Sequence, residues 1–110
     1  MTRFSPAPKS PNCVSSRAPD SDAGHAIAPL ANTTLAQVRA VMAQRPRTTL
    51  AEEADGYLRY VETTRIMRFK DDIEFEQDGD DVHVRSASRV GYSDMGLNRK
   101  RVEQIRQALR

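Results

Sequence analysis

The chain has no tryptophan, a single cysteine and no apolar run longer than a few residues. A lone Cys13 rules out an internal disulfide. It also leaves too few ligands for zinc, which takes about four when structural, because only His25 and His83 could assist it. No metal and no cofactor is expected. A membrane-spanning helix needs about 20 consecutive apolar residues. No stretch supplies them, and the opening MTRFSPAPKS lacks the apolar middle of a secretory signal, so a cytoplasmic location is the expectation. The net charge is only +2, and aromatic residues make up 5% of the chain. Nucleic acid is therefore an unlikely partner, since it demands a concentrated basic footprint and stacking side chains.

What is present suffices for one domain of 110 residues, with a modest core of Leu, Ile, Val and Met helped by three Tyr and three Phe. Residues 1–32 hold five of the six prolines and show neither helical nor strand periodicity, which marks an extended arm ahead of a domain at 33–110. Its apolar islands PNCVSS and HAIAPL are able to hold it against that domain. Thr34 and Gln37 have capping-box spacing, Leu35, Val38 and Met42 follow at helical intervals, and Pro46 closes the helix at about Gln44. Thr48–Ala54, Tyr57–Phe69, Asp72–Gln77 and Asp81–Val90 read as strands, joined by Asp55-Gly56 and Asp78-Gly79-Asp80 turns. Tyr57–Phe69 alternates poorly, so a bulge is expected near Thr63-Thr64. A final helix is expected from Asn98, with Val102, Ile105 and Leu109 as its stripe. The architecture predicted is α+β, a mostly antiparallel sheet of about four strands with two helices on one face and the arm along an edge or across the other.

Four segments, PNCVSS (11–16), DGYL (55–58), RFKDDIEF (68–75) and RSASRVGYSDMGLNRKRVE (85–103), resemble the bacterial and plant family known as domain of unknown function 1499. The resemblance spans nearly the whole chain and implies a domain without an assigned reaction, cofactor or catalytic residue. It also implies that many relatives carry a second cysteine shortly before PNCVSS, where this chain has Ala7, and that some follow a membrane segment.

The helix start is the most pointed feature. Asn98 has the chemistry of an N-cap, and Arg99, Lys100 and Arg101 then crowd the positive end of the helix dipole, each at a cost of ~0.3–1 kcal/mol. Something negative must compensate. Either Asp71, Asp72, Glu74 and Glu76 do so from the sheet, or an external anion binds the free N–H groups. Arg85 and Arg89 on the polar parity of the preceding strand, oriented by Asp94, would complete such a pocket with Asn98 and Arg99. The leading expectation is thus a non-enzymatic module that recognises an anionic small molecule or an acidic protein surface. In the Gly91–Gly96 loop, which fits no nucleotide-binding pattern, Ser93 or Asp94 is expected to bond nearby backbone. The acidic run lacks the order of a calcium loop and more naturally faces arginines across the sheet. The alternative is a small enzyme using Cys13 with His25 or His83. The oligomeric state is open.

Overall fold

The computed structural model describes residues 2–91 and 94–110. Its elements are β1 (Cys13–Ser15), α1 (Leu35–Met42), β2 (Thr48–Ala54), β3 (Tyr57–Thr63), β4 (Lys70–Asp78), β5 (Asp81–Ser88) and α2 (Leu97–Ala108). The sheet is antiparallel throughout, in the order β1-β5-β4-β3-β2. Strands β2 to β5 form a meander because Gly56 and Gly79 supply the positive φ that their turns require. The class is α+β, with five strands in place of about four. The fifth is β1, inside the proline-rich arm, where Val14 lies opposite Ser86 of β5.

Alternation divides the sheet. On one face Leu58, Tyr60, Ile73, Phe75, Val82 and Val84 pack against Val38 and Met42 of α1 and Val102 and Ile105 of α2, with Val14 and Leu30 closing the edge. Thr34 caps α1 and shares a reciprocal capping box with Gln37, as its spacing predicts. The opposite face is a layer of ion pairs. There Glu74 stands directly across from Arg85, Glu76 accepts from Arg17, and Asp72 accepts from Arg59 and Arg89. The arm crosses this layer, Thr2 Oγ1 and the Arg3 backbone N–H donating to Glu76 at 2.7 Å each.

Two boundaries depart from expectation. Strand β3 ends at Thr63, so residues 64–69 form a loop and not the second half of a bulged strand. The cause is local. The Thr64 N–H donates to the Phe69 carbonyl and the Phe69 N–H donates to Thr64 Oγ1, both at 2.8 Å, which closes the loop on itself. The irregularity in the sheet falls instead in β2, between Leu50 and Glu52. Helix α2 begins at Leu97, and its N-cap is Gly96 at φ 82°, not Asn98. Asp94 takes over the capping role, Oδ1 accepting from the Gly96 N–H at 2.8 Å and Oδ2 from the Asn98 N–H at 3.2 Å.

With Asn98 inside the helix, the buried face of α2 becomes Asn98, Arg101, Val102 and Ile105. Arg101 is 2% exposed. Its guanidinium donates to Glu62 of β3 at 2.6 Å, to Asp71 of β4, to Ser86 of β5 at 3.1 Å and to the Asn98 side-chain oxygen at 2.7 Å. One arginine therefore ties α2 to three strands. Removing one partner of a buried ion pair typically costs ~3–5 kcal/mol because the other charge stays desolvated. Arg101→Met leaves Asp71 without its cation and Glu62 with Arg45 alone, and with total stability of ~5–15 kcal/mol for such a domain it is expected to lower the melting temperature by well over ~10 °C. A thermal melt of Arg101→Met within ~3 °C of the parent would contradict this role.

Candidate functional site

The five residues expected to form an anion pocket are not gathered into one place. Arg85 lies on the ion-pair face, bonded to Glu74 at 3.3 Å and to the Pro6 carbonyl at 3.4 Å. Arg89 holds Asp72 with two bonds of 2.9 Å. Asn98 is fully buried on the helix face, its amide reaching Asp94, Ser88 and the Asn12 carbonyl. Arg99 bonds the carbonyls of Ala23 and Gly24. Asp94 caps α2 and touches neither Arg85 nor Arg89. Of the three basic residues at the helix start, Arg101 is met by the protein's own carboxylates, Glu62 joining the expected Asp71, while Arg99 reaches only backbone carbonyls. The other loop residue expected to bond backbone, Ser93, lies outside the described residues.

Cys13 is 1% exposed, and burial pushes its thiol above the ordinary range, Arg85 only partly offsetting this. A reactive thiol needs the reverse shift. The imidazoles are engaged elsewhere. His25 sits between the Ser10 carbonyl and Asp22, each at 2.8 Å, and His83 lies 2.7 Å from Ser16 Oγ. Among the described residues no cluster of three or more potential metal ligands occurs, and no helix is long and apolar enough to cross a membrane.

A cleft does form where the β3–β4 loop meets the segment leading from β5 into α2. Its volume is about 170 Å³. Phe69, Val90, Met95 and Leu97 supply apolar walls, while Thr64, Asp71, Ser88 and Asp94 supply oxygens. Asp71 is 1% exposed and divided in function. Its Oδ2 accepts from Arg101, and its Oδ1 has no hydrogen-bond partner among the described residues. A buried acceptor left unmatched costs roughly 1–3 kcal/mol. Sequence reasoning placed Asp71 among possible counterions for α2. The one clue to its division was the position of Asp71 at the loop end of a strand, next to exposed residues.

A second cavity, about 320 Å³, lies between the arm and residues 15–22, lined by Phe4, Pro6, Ser15, Arg17 and Pro19 among others. Arg85 reaches its wall at Pro6, and Arg85 Nε is buried without a partner among the described residues.

Glu62 and His25 contribute opposite pH limits to the stability of this frame, and Asp72 and Glu76, also held below their ordinary values by their arginine and backbone partners, add to the acid one. Burial alone would raise the Glu62 carboxyl, but hydrogen bonds from Arg45 and the charge of Arg101 outweigh it and hold the group below the ordinary value of 4.5. Its contribution is complete above 4.5 and fades as pH falls through the lower folded value. The Ser10 carbonyl first, and then Asp22, raise His25 above 6.5, because only the charged ring donates from both nitrogens. That contribution is complete below 6.5 and fades as pH rises through the higher folded value. Urea midpoints measured against pH are expected to fall on both sides of this window, with Glu62→Gln flattening the acid limb and His25→Gln the alkaline one. Unchanged limbs in these variants would contradict the assignment.

Comparison with curated proteins and with solved structures finds no significant match. Residues 3–109 match the family model described as protein of unknown function (DUF1499). The match takes in β1, the ion-pair face and the Asp71 cleft together, and the chain belongs to the DUF1499 family.

Proposed function

We propose that this chain is a non-enzymatic binding module whose ligand enters the cleft at Asp71 and carries an N–H or O–H donor on a small apolar body. The unmatched Asp71 Oδ1 carries this reading. Asp71 lines a cleft with apolar walls, and Thr64, Ser88 and Asp94 nearby add acceptors. The charges behind it already balance, since Arg101 and Arg45 face Glu62 and Asp71. Recognition therefore rests on a hydrogen bond and apolar contact rather than on net charge. A negatively charged ligand is disfavoured there because Asp94 and Asp71 line the same space.

A second reading retains the anionic ligand expected from the helix start and moves it to the arm cavity. What favours it is Arg85, whose guanidinium donates to the carbonyl of the lining residue Pro6 and whose buried Nε has no partner among the described residues.

Small probes separate the two. Titrating isotope-labelled protein with butylamine, butanol and butyrate is expected to shift the amides of Asp71, Ser88 and Leu97 with the first two only. Affinity should be on the order of 1 mM, within the range of ~0.3–1.5 kcal/mol per non-hydrogen atom available to tiny ligands. Shifts near Pro6 and Ser15 with butyrate or phosphate would support the arm cavity instead. Absence of localised shifts at either place removes both readings.

A further inference from the structure

Large apolar side chains of the described residues that face solvent gather where two loops meet. Among the described residues they are Ile66, Met67, Phe69, Val90, Met95 and Leu97. The first three occupy the β3–β4 loop, and the others lie between the end of β5 and the first residue of α2. The two segments are neighbours, since both wall the same cleft and the Arg89 N–H donates to the Lys70 carbonyl at 3.1 Å.

The charges in the β3–β4 loop are all of one sign. Residues 64–70 read TRIMRFK, and Arg65, Arg68 and Lys70 are exposed and hold no carboxylate among the described residues. Arginines of the sheet behave differently, Arg17, Arg59, Arg85 and Arg89 each being paired with an acid. The loop is also well fixed at its base by the two bonds between Thr64 and Phe69, which leave residues 65–67 as the turn. Ile66 is 86% exposed and Met67 65% exposed, with a cation on either side.

We propose that this end of the domain docks on a bilayer surface containing anionic lipid, Ile66 and Met67 entering the boundary between headgroups and acyl chains while Arg65, Arg68 and Lys70 sit among the phosphates. The alternation suits a lipid surface, which accepts cations and apolar groups side by side, because long basic stems lie along the hydrocarbon and raise their heads to the phosphates. Positive charge near an anionic leaflet adds attraction worth about a fivefold gain in partitioning for each Lys or Arg. The inference stands apart from the Asp71 ligand, because it uses side chains outside the cleft and a different test.

Because the chain has no tryptophan, Met67→Trp gives a single reporter at the turn. Its emission is expected to shift to the blue with vesicles of phosphatidylcholine and phosphatidylglycerol and to stay unchanged with phosphatidylcholine alone. In co-sedimentation, the unaltered chain should follow only the anionic vesicles. Arg65→Gln with Arg68→Gln should weaken this by about 25-fold at low salt. Ile66→Ser with Met67→Ser should weaken it as well, with thermal melts of both double variants checking that the fold is kept. Equal behaviour toward both vesicle types would overturn the proposal. So would vesicle binding that survives the serine substitutions, or an unshifted tryptophan on bound protein, either of which means that Ile66 and Met67 do not enter the bilayer.

Discussion

Arg101 decides how this molecule holds together. A guanidinium with 2% exposure is tolerable only when its donors are met, and here Glu62, Asp71, Ser86 and Asn98 meet them from three strands and from the helix itself. An ion pair of this kind adds little stability over a well-packed apolar group of the same volume. It does fix registration. An apolar side chain at this position would tolerate α2 sliding along the sheet, whereas a planar fork aimed at two carboxylates tolerates only one placement. Asn98 reinforces this, bridging Ser86, Ser88 and the backbone of Asn12, so the first turn of α2, the end of β5 and the entry to β1 are set together.

The two faces of the sheet solve opposite problems. Under the helices, apolar side chains make the core and the buried polar network lies at one end of it. On the other face, three consecutive same-parity carboxylates of β4, Asp72, Glu74 and Glu76, would repel one another if left alone. Arg17, Arg59, Arg85 and Arg89 separate and neutralise them, and Tyr57 donates to Glu74 at 2.7 Å. The arm completes the layer by bringing backbone and hydroxyl donors from residues 2 and 3 to Glu76. The sheet edges are protected too. One is a strand of three residues, and the other is interrupted between Leu50 and Glu52 and carries Glu52 and Glu53, so neither offers a long continuous row of free backbone groups.

Features governed by neighbours in sequence were legible. The Thr34–Gln37 cap, the glycine turns at 56 and 79, and the alternation of β5 each depend on a few adjacent residues, and each occurs where its pattern lies. Features governed by distant partners were not. Strand β1 has only three residues and no period of its own, and it exists because β5 offers a free edge. The end of β3 is set by Thr64 closing a loop on Phe69, which a hydrophobicity pattern does not encode. The basic helix start was legible as a conflict, but its resolution was not. Arg101 falls one residue before Val102 on the buried face, and Glu62, 39 positions earlier, shows no local sign of being its counterion. The Asp71 cleft is still less visible, because it depends on one carboxylate oxygen being used and its twin having no partner among the described residues.

Strand β1 has a further consequence, one of timing. Its partner in β5 lies some 70 residues downstream, Cys13 pairing with Ala87, while β2 to β5 are joined in succession by short connections. Loop closure over that span must be met before the pairing gives anything back, so the meander assembles first and the leading segment last. On a ribosome the order is reversed, since residues 13–15 emerge well before β5 has been made. A segment rich in proline and poor in pattern suits that interval, because it neither folds early nor offers a strand to the wrong neighbour while it waits.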